Sequence, residues 1–90
     1  MQSPFLSVIV PVYNDNARLA ILLDSLDRQT YPGDRFEIIV VDNGSAEDVR
    51  QVTRQHDKVI LLYERDIQSS YAARNKAIGQ ARGKILVFTD

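Results

Sequence analysis

Cysteine is absent from this 90-residue chain, which removes disulfides, thiolate nucleophiles and thiolate-bound zinc in one step. Histidine occurs once, as His56; alone it cannot build a metal cluster, and a Ser-His-Asp site through it would need support from elsewhere. No charge of one sign dominates. Eleven Lys and Arg stand against twelve Asp and Glu, a net charge of −1, which argues against nucleic acid as a partner because polyanion binding normally needs a basic stripe. Long apolar runs are also missing. The stretch from Phe5 to Val12 is too short to span a membrane and lacks the basic leader of a signal peptide. Glycine (4) and proline (3) are few, and no repeat, linker or low-complexity segment interrupts the chain. These absences leave one small globular domain, expected in the cytoplasm, or at the cytoplasmic face of a membrane if the full-length protein has a membrane segment.

What is present is organised around Phe36-Glu37-Ile38-Ile39-Val40-Val41-Asp42-Asn43-Gly44-Ser45. Its β-branched first half reads as a strand covered on both faces, as in a parallel sheet. Its second half consists of turn and cap residues. Asp42 is thereby placed at the carboxyl edge of a sheet, where open α/β folds bind ligands.

Around it, Leu6–Val12 reads as a first strand with Pro11 near its end, and Asn14 or Asp15 as the cap of a helix. Leu19, Leu22, Leu23 and Leu26 form one apolar stripe on that helix, with Arg18, Asp24 and Arg28 pointing elsewhere. Thr30–Asp34, with its Pro-Gly pair, breaks it. Ser45 is expected to cap a short helix carrying Val49 and Val52, with Asp48 completing a weak capping box. Val59–Tyr63 reads as a third strand. A polar loop from Glu64 to Ser70 leads to an Ala-rich helix from about Tyr71 to Ala81, expected to bury Ala73, Ala77, Ile78 and Ala81 and to stop at Gly83. Lys84–Thr89 forms a fourth strand ending at Asp90. The order β-α-β-α-β-α-β implies an α/β fold with parallel pairing and right-handed crossovers.

Three strand ends then meet at one edge: Pro11-Val12-Tyr13, Asp42-Asn43-Gly44 and Thr89-Asp90. Two carboxylates at neighbouring tips suit a divalent cation or ribose hydroxyls, and Arg74, early in the third helix, supplies a positive partner. The plainer role of Asp42 and Asp90 is to end strands and cap helices; their company with Tyr13 and Arg74 tips the reading toward a site. Rival nucleotide folds fail on motif. The turn after the first strand has neither Gly-x-Gly-x-x-Gly nor Gly-Lys-Ser/Thr, and the acidic pair of a phospho-receiver is missing.

Four blocks in order, Val10-Pro11-Val12-Tyr13-Asn14, Val40-Val41-Asp42-Asn43-Gly44-Ser45, Ala73-Arg74-Asn75 and Gly83-Lys84-Ile85-Leu86-Val87-Phe88-Thr89-Asp90, resemble the N-terminal, nucleotide-sugar-binding half of a family 2 glycosyltransferase of the GT-A fold. The resemblance implies a Rossmann-like, mainly parallel sheet of order 3-2-1-4. It also implies transfer of a sugar, with inversion, from a nucleotide diphosphate donor, usually UDP-linked, to an unknown saccharide, lipid or protein acceptor. Pro11, Val12 and Tyr13 would line the base pocket. Asp42 would accept a hydrogen bond from the base, with Asn43 beside it. Arg74 would contact base or diphosphate, and Asn75 would tie down the local backbone. Asp90 would be the first Asp of an Asp-x-Asp motif, near the ribose and a Mg²⁺ or Mn²⁺ ion.

The acceptor half and the catalytic base of such enzymes follow the Asp-x-Asp strand. The chain is therefore read as truncated at that motif, with no catalytic residue of its own and no activity alone. A smaller departure is Gln68-Ser69-Ser70-Tyr71, where many relatives carry glycine. A non-catalytic nucleotide-binding α/β module is the alternative reading, and a family member without activity is a third. Lys84–Thr89, unprotected at an edge, is expected to make the isolated chain self-associate.

Overall fold

The computed structural model describes residues 4–89. Its elements run β1 (Leu6–Val12), α1 (Asn16–Asp27), a short 3₁₀ turn (Gly33–Arg35), β2 (Phe36–Asp42), α2 (Arg50–Thr53), β3 (Val59–Tyr63), α3 (Ser70–Gln80) and β4 (Ile85–Phe88). All pairings are parallel and the strand order is β3-β2-β1-β4, the order that the resemblance implied.

That order follows from the hand of the crossovers. The chain moves from β1 to β2 to β3 in one direction, then jumps back past β1 to β4. Right-handed connections therefore put α1 and α2 on one face and α3 on the other. The two apolar clusters divide accordingly. Val8, Val10, Val12, Ile38 and Val40 pack with Leu19, Leu23 and Val49, whereas Ile9, Ile39 and Val41 pack with Ala73 and Ala77. Alternate residues of β1 and β2 thus point to opposite helical layers, and the β-branched run of β2 is buried throughout from Glu37 to Asp42. Each buried Val, Leu or Ile contributes about 1.5–3 kcal/mol of transfer free energy.

Helix α1 is capped by Asp15, whose carboxylate accepts the Arg18 N–H at 3.3 Å. Leu19 and Leu23 are buried and Leu22 and Leu26 half-buried, as their spacing predicts. Three expectations need correction. Ser45 does not cap α2. Its hydroxyl accepts the Asn14 N–H at 2.9 Å, stitching the first loop to the second, and α2 begins only at Arg50. Ile78 is not buried: it is 44% exposed, because Ala73, Ala77 and the half-buried Ala81 make the contact with the sheet and no second layer covers the helix among the described residues. Gly83 does not stop α3, which ends at Gln80. It matters instead for close approach, since a Cβ there would lie 2.5 Å from the Ser7 backbone nitrogen.

Candidate functional site

In this topology the connection that leaves β1, through α1, and the one that enters its neighbour β4, through α3, lie on opposite sides of the sheet. The carboxyl ends of these two strands therefore flank a crevice rather than a covered surface. A cleft of about 350 Å³ opens there, lined by Pro11, Val12 and Tyr13 from the tip of β1, Thr89 after β4, Asn43 after β2, and Ser70 and Arg74 from the first turns of α3. Five of the residues singled out in the sequence, Pro11, Val12, Tyr13, Asn43 and Arg74, thus share one wall-to-wall space. Tyr13 is half exposed, at 49%.

The edge is held by both backbone and side-chain bonds. The Asn43 N–H donates to the Val12 carbonyl at 2.9 Å and the Glu64 N–H to the Asp42 carbonyl at 3.0 Å, extending both ladders past the strands. Asn43 is 95% buried, and its amide donates to the carbonyls of Glu64 (2.8 Å) and Ile67 (2.9 Å). Its side chain therefore ties down the β3–α3 loop rather than reaching into the cleft with free donors. Asn14 adopts a positive φ of 50°, a conformation asparagine tolerates, and its side-chain carbonyl accepts the Ala46 N–H at 2.7 Å. The β1 and β2 loops consequently form one rigid rim.

Asp42 is 3% exposed. Its Oδ1 accepts the Ser45 N–H at 2.8 Å, an Asx turn that closes the loop. The residue borders the neighbouring recess, with Tyr63, Arg50 and Arg65, rather than the cleft itself. Both roles read from the sequence, turn cap and acceptor at the edge, are therefore available to the one carboxylate, one oxygen for each. Asn75 is exposed and makes no side-chain hydrogen bond among the described residues, so the backbone tie expected of it is not found. The departure at 68–71 resolves in physical terms. Ser69 caps α3 by accepting the Ala72 N–H at 3.0 Å, in an extended backbone that needs no glycine. Asp90 lies outside the described residues; Thr89 before it is fixed to the Ile9 carbonyl through both its N–H (3.1 Å) and its hydroxyl (3.0 Å).

Sequence reasoning missed Arg18 and Asp15 as cleft residues. Their signal was positional. Any residue in the first turn of α1 starts at the carboxyl edge of β1, so Arg18, though it points away from the leucine stripe, stands on the cleft by its place along the helix.

Residues 7–90 match the family described as glycosyl transferase family 2. The chain belongs to that family. It is 44% identical over 91 residues to "Glycosyltransferase AglE" of Haloferax volcanii, an alignment covering 97% of this chain and 30% of that protein. To the poly(ribitol-phosphate) beta-glucosyltransferase of Bacillus spizizenii it is 36% identical, covering 94% of this chain and 14% of the other. Among solved structures, the mannosyltransferase PcManGT from Pyrobaculum calidifontis, in complex with GDP-Man and Mn²⁺, superposes with a TM-score of 0.86 at 30% identity. Residues 1–349 of TarS from S. aureus superpose with a TM-score of 0.82 at 34% identity. Each superposition covers 96% of this chain and 27% of the other. The chain spans less than a third of the length of these relatives, and the fold is the Rossmann-like parallel core of the GT-A type.

Proposed function

We propose that this glycosyltransferase family 2 chain is the donor-binding part of a larger catalytic domain. In that reading it holds a nucleotide diphosphate sugar, UDP-linked, whose sugar is transferred with inversion to a saccharide, lipid or protein acceptor. The observation that carries the proposal is the convergence of Pro11, Val12, Tyr13, Asn43 and Arg74 on one cleft at the switch point of the sheet. A structural relative at 30% identity is a mannosyltransferase in complex with GDP-Man and Mn²⁺.

In this role the flat ring of Tyr13 stacks on the base and the pyrrolidine of Pro11 floors the pocket. Asp42, with Oδ1 held by Ser45, borders the adjoining recess, so its other oxygen meets a base N–H where the base reaches past the cleft into that recess. The guanidiniums of Arg18 and Arg74 stand on the cleft, where a diphosphate needs charge-assisted donors. The donor set present fits a metal only in part, since Asp15 is the one carboxylate among the described cleft-lining residues and a hard cation takes about six oxygens. Asp90, next to the anchored Thr89, is the residue assigned to a Mg²⁺ or Mn²⁺ ion. When bound, that ion neutralises charge on the leaving diphosphate. Deprotonating the acceptor belongs to a residue outside this chain, so residues 1–90 alone are expected to transfer no sugar.

No helix among the described residues is long and apolar enough to cross a membrane. The proposed site of action is the cytoplasm or the cytoplasmic face of a membrane, where nucleotide sugars are available.

The test is calorimetric titration of the chain with UDP and with GDP, each with and without Mn²⁺. Saturable binding of UDP that Arg74→Ala and Tyr13→Ala each weaken at least tenfold supports the reading. Binding of neither nucleotide at millimolar concentration, by a folded chain, overturns it.

A further inference from the structure

His56 is the only histidine in the chain, and from sequence it was too little for a metal cluster. The fold brings two carboxylates to it. Asp24 and Asp27 lie three residues apart on α1, hence on one face of the helix. His56 follows α2 at the start of the β3 approach, fixed by its own N–H to the Thr53 carbonyl (3.0 Å) and by its carbonyl to the Val59 N–H (3.4 Å). The three side chains bring one ligand atom each within 4.8 Å of one another. The last turns of α1 and the segment before β3 both belong to the amino edge of the sheet, so this cluster lies at the opposite end from the strand tips.

The geometry divides the labour between the two carboxylates. His56 Nδ1 is 2.8 Å from Asp27 Oδ2, a hydrogen-bonding distance, while Nε2 is 3.7 Å from Asp24 Oδ1, beyond one. A carboxylate only accepts, so the short contact places a ring proton on Nδ1, and it is Nε2, facing Asp24, that a metal ion would take in place of a proton. A carboxylate fixing one ring nitrogen so that the other can bind is the arrangement found behind metal-ligating histidines. Bonds of about 2.0–2.2 Å from zinc to nitrogen and to carboxylate oxygen let a single ion reach both atoms across the 3.7 Å gap. The ring is 7% exposed while Asp24 and Asp27 are 61% and 51% exposed. The imidazole is therefore held by packing, and the ion's remaining positions open to water.

We infer that Asp24 Oδ1 and His56 Nε2 bind a borderline divalent cation of the zinc type, with Asp27 as the residue that positions the ring. Such an ion bridges α1 to the segment before β3, and does so independently of any nucleotide.

The chain suits the test, because it has no cysteine and one imidazole. After removal of any histidine tag, it is titrated with Zn²⁺ in a non-coordinating buffer near neutral pH, followed by calorimetry and by ¹⁵N shifts of the ring. One ion per chain is expected, with the metal-induced shift on Nε2. Asp24→Asn and His56→Gln should each weaken binding at least tenfold, and Asp27→Ala ten- to a hundredfold. Should His56→Gln not fold, Asp24→Asn alters only an exposed carboxylate and decides the matter. Absence of saturable binding, a shift confined to Nδ1, or full affinity in Asp24→Asn would overturn the site.

Discussion

Ser7 and Glu37 are register partners in the β1–β2 pair and are also joined through their side chains, the Ser7 hydroxyl donating to Glu37 Oε2 at 2.7 Å. Both are buried at the amino edge of the sheet. The same carboxylate accepts the Arg82 N–H at 2.8 Å and its guanidinium at 3.2 Å, while the Ser7 hydroxyl accepts the Gly83 N–H at 2.8 Å. This network fixes the turn that takes the chain from α3 into β4. Through that turn it also sets the register of the strand whose far end forms one wall of the cleft.

Glu37 gives the network a pH dependence. Burial pushes its carboxyl up, but the Arg82 N–H, the Ser7 hydroxyl and the Arg82 guanidinium together outweigh burial and hold it below the ordinary glutamate range. A carboxyl lowered in the folded state contributes stability that is present above its unfolded pKa of about 4.3 and lost as pH falls through the lower folded value. Glu37→Gln is therefore expected to destabilise by about 1–3 kcal/mol at pH 7, with the difference shrinking below pH 4. Urea unfolding of both proteins at several pH values checks this; a pH-independent difference would remove the charge from the account.

Two glycines are expected to respond in opposite directions. A Cβ at Gly83 meets Ser7 backbone and hydroxyl atoms at 2.5 and 2.6 Å, so Gly83→Ala forces β1 and the turn apart, at a cost of about 1–3 kcal/mol. Gly79 sits on α3 with nothing within 4 Å of its would-be Cβ, and Gly79→Ala should stabilise by about 0.5–1 kcal/mol. Thermal unfolding of the two variants side by side gives the signs.

The topology was legible in the sequence because buried parallel strands and a leucine stripe carry it, and each is a local pattern. Glu37 was not. A lone carboxylate in an apolar strand gives no sign that Ser7, thirty residues earlier, and Arg82, forty-five later, will enclose it. Asp42 and Asn43 were legible as edge residues but not in their division of labour. That Asn43 spends its amide on the Glu64 and Ile67 carbonyls depends on a loop whose course no local pattern encodes. His56 failed for the same reason, since its partners come from a helix twenty-nine and thirty-two residues away.

Asp42 lets its two roles be separated by one substitution. Asp42→Ala removes the Ser45 turn contact along with any acceptor for a base, so stability and binding fall together. Asp42→Asn keeps a carbonyl for the Ser45 N–H but replaces the second oxygen with a donor. It should unfold within about 1 kcal/mol of the wild type yet bind UDP with roughly 10- to 150-fold lower affinity, the range of a charged hydrogen bond. Unchanged affinity in Asp42→Asn would confine Asp42 to its turn.

The last expectation concerns β4, which among the described residues pairs with β1 alone and presents Ile85, Val87 and Phe88 at 47%, 38% and 48% exposure. In a parallel ladder, alternate residues bond to the same neighbour. Because Ile85 and Thr89 donate to Phe5 and Ile9, the N–H groups of Leu86 and Phe88 face outward. A second copy running antiparallel, with Val87 on the two-fold axis, would pair Leu86 with Phe88 of its mate and set Ile85 opposite Thr89. The sequence is thus self-complementary in a register that uses the outward donors, and among the described residues of β4 neither proline nor inward charge protects the edge. The isolated chain should therefore dimerise at high micromolar concentration in light scattering. Val87→Lys puts two like charges directly opposite each other at the axis and should return the monomer without loss of fold. A wild-type monomer at that concentration, or a Val87→Lys variant that still dimerises, would show that this edge does not pair.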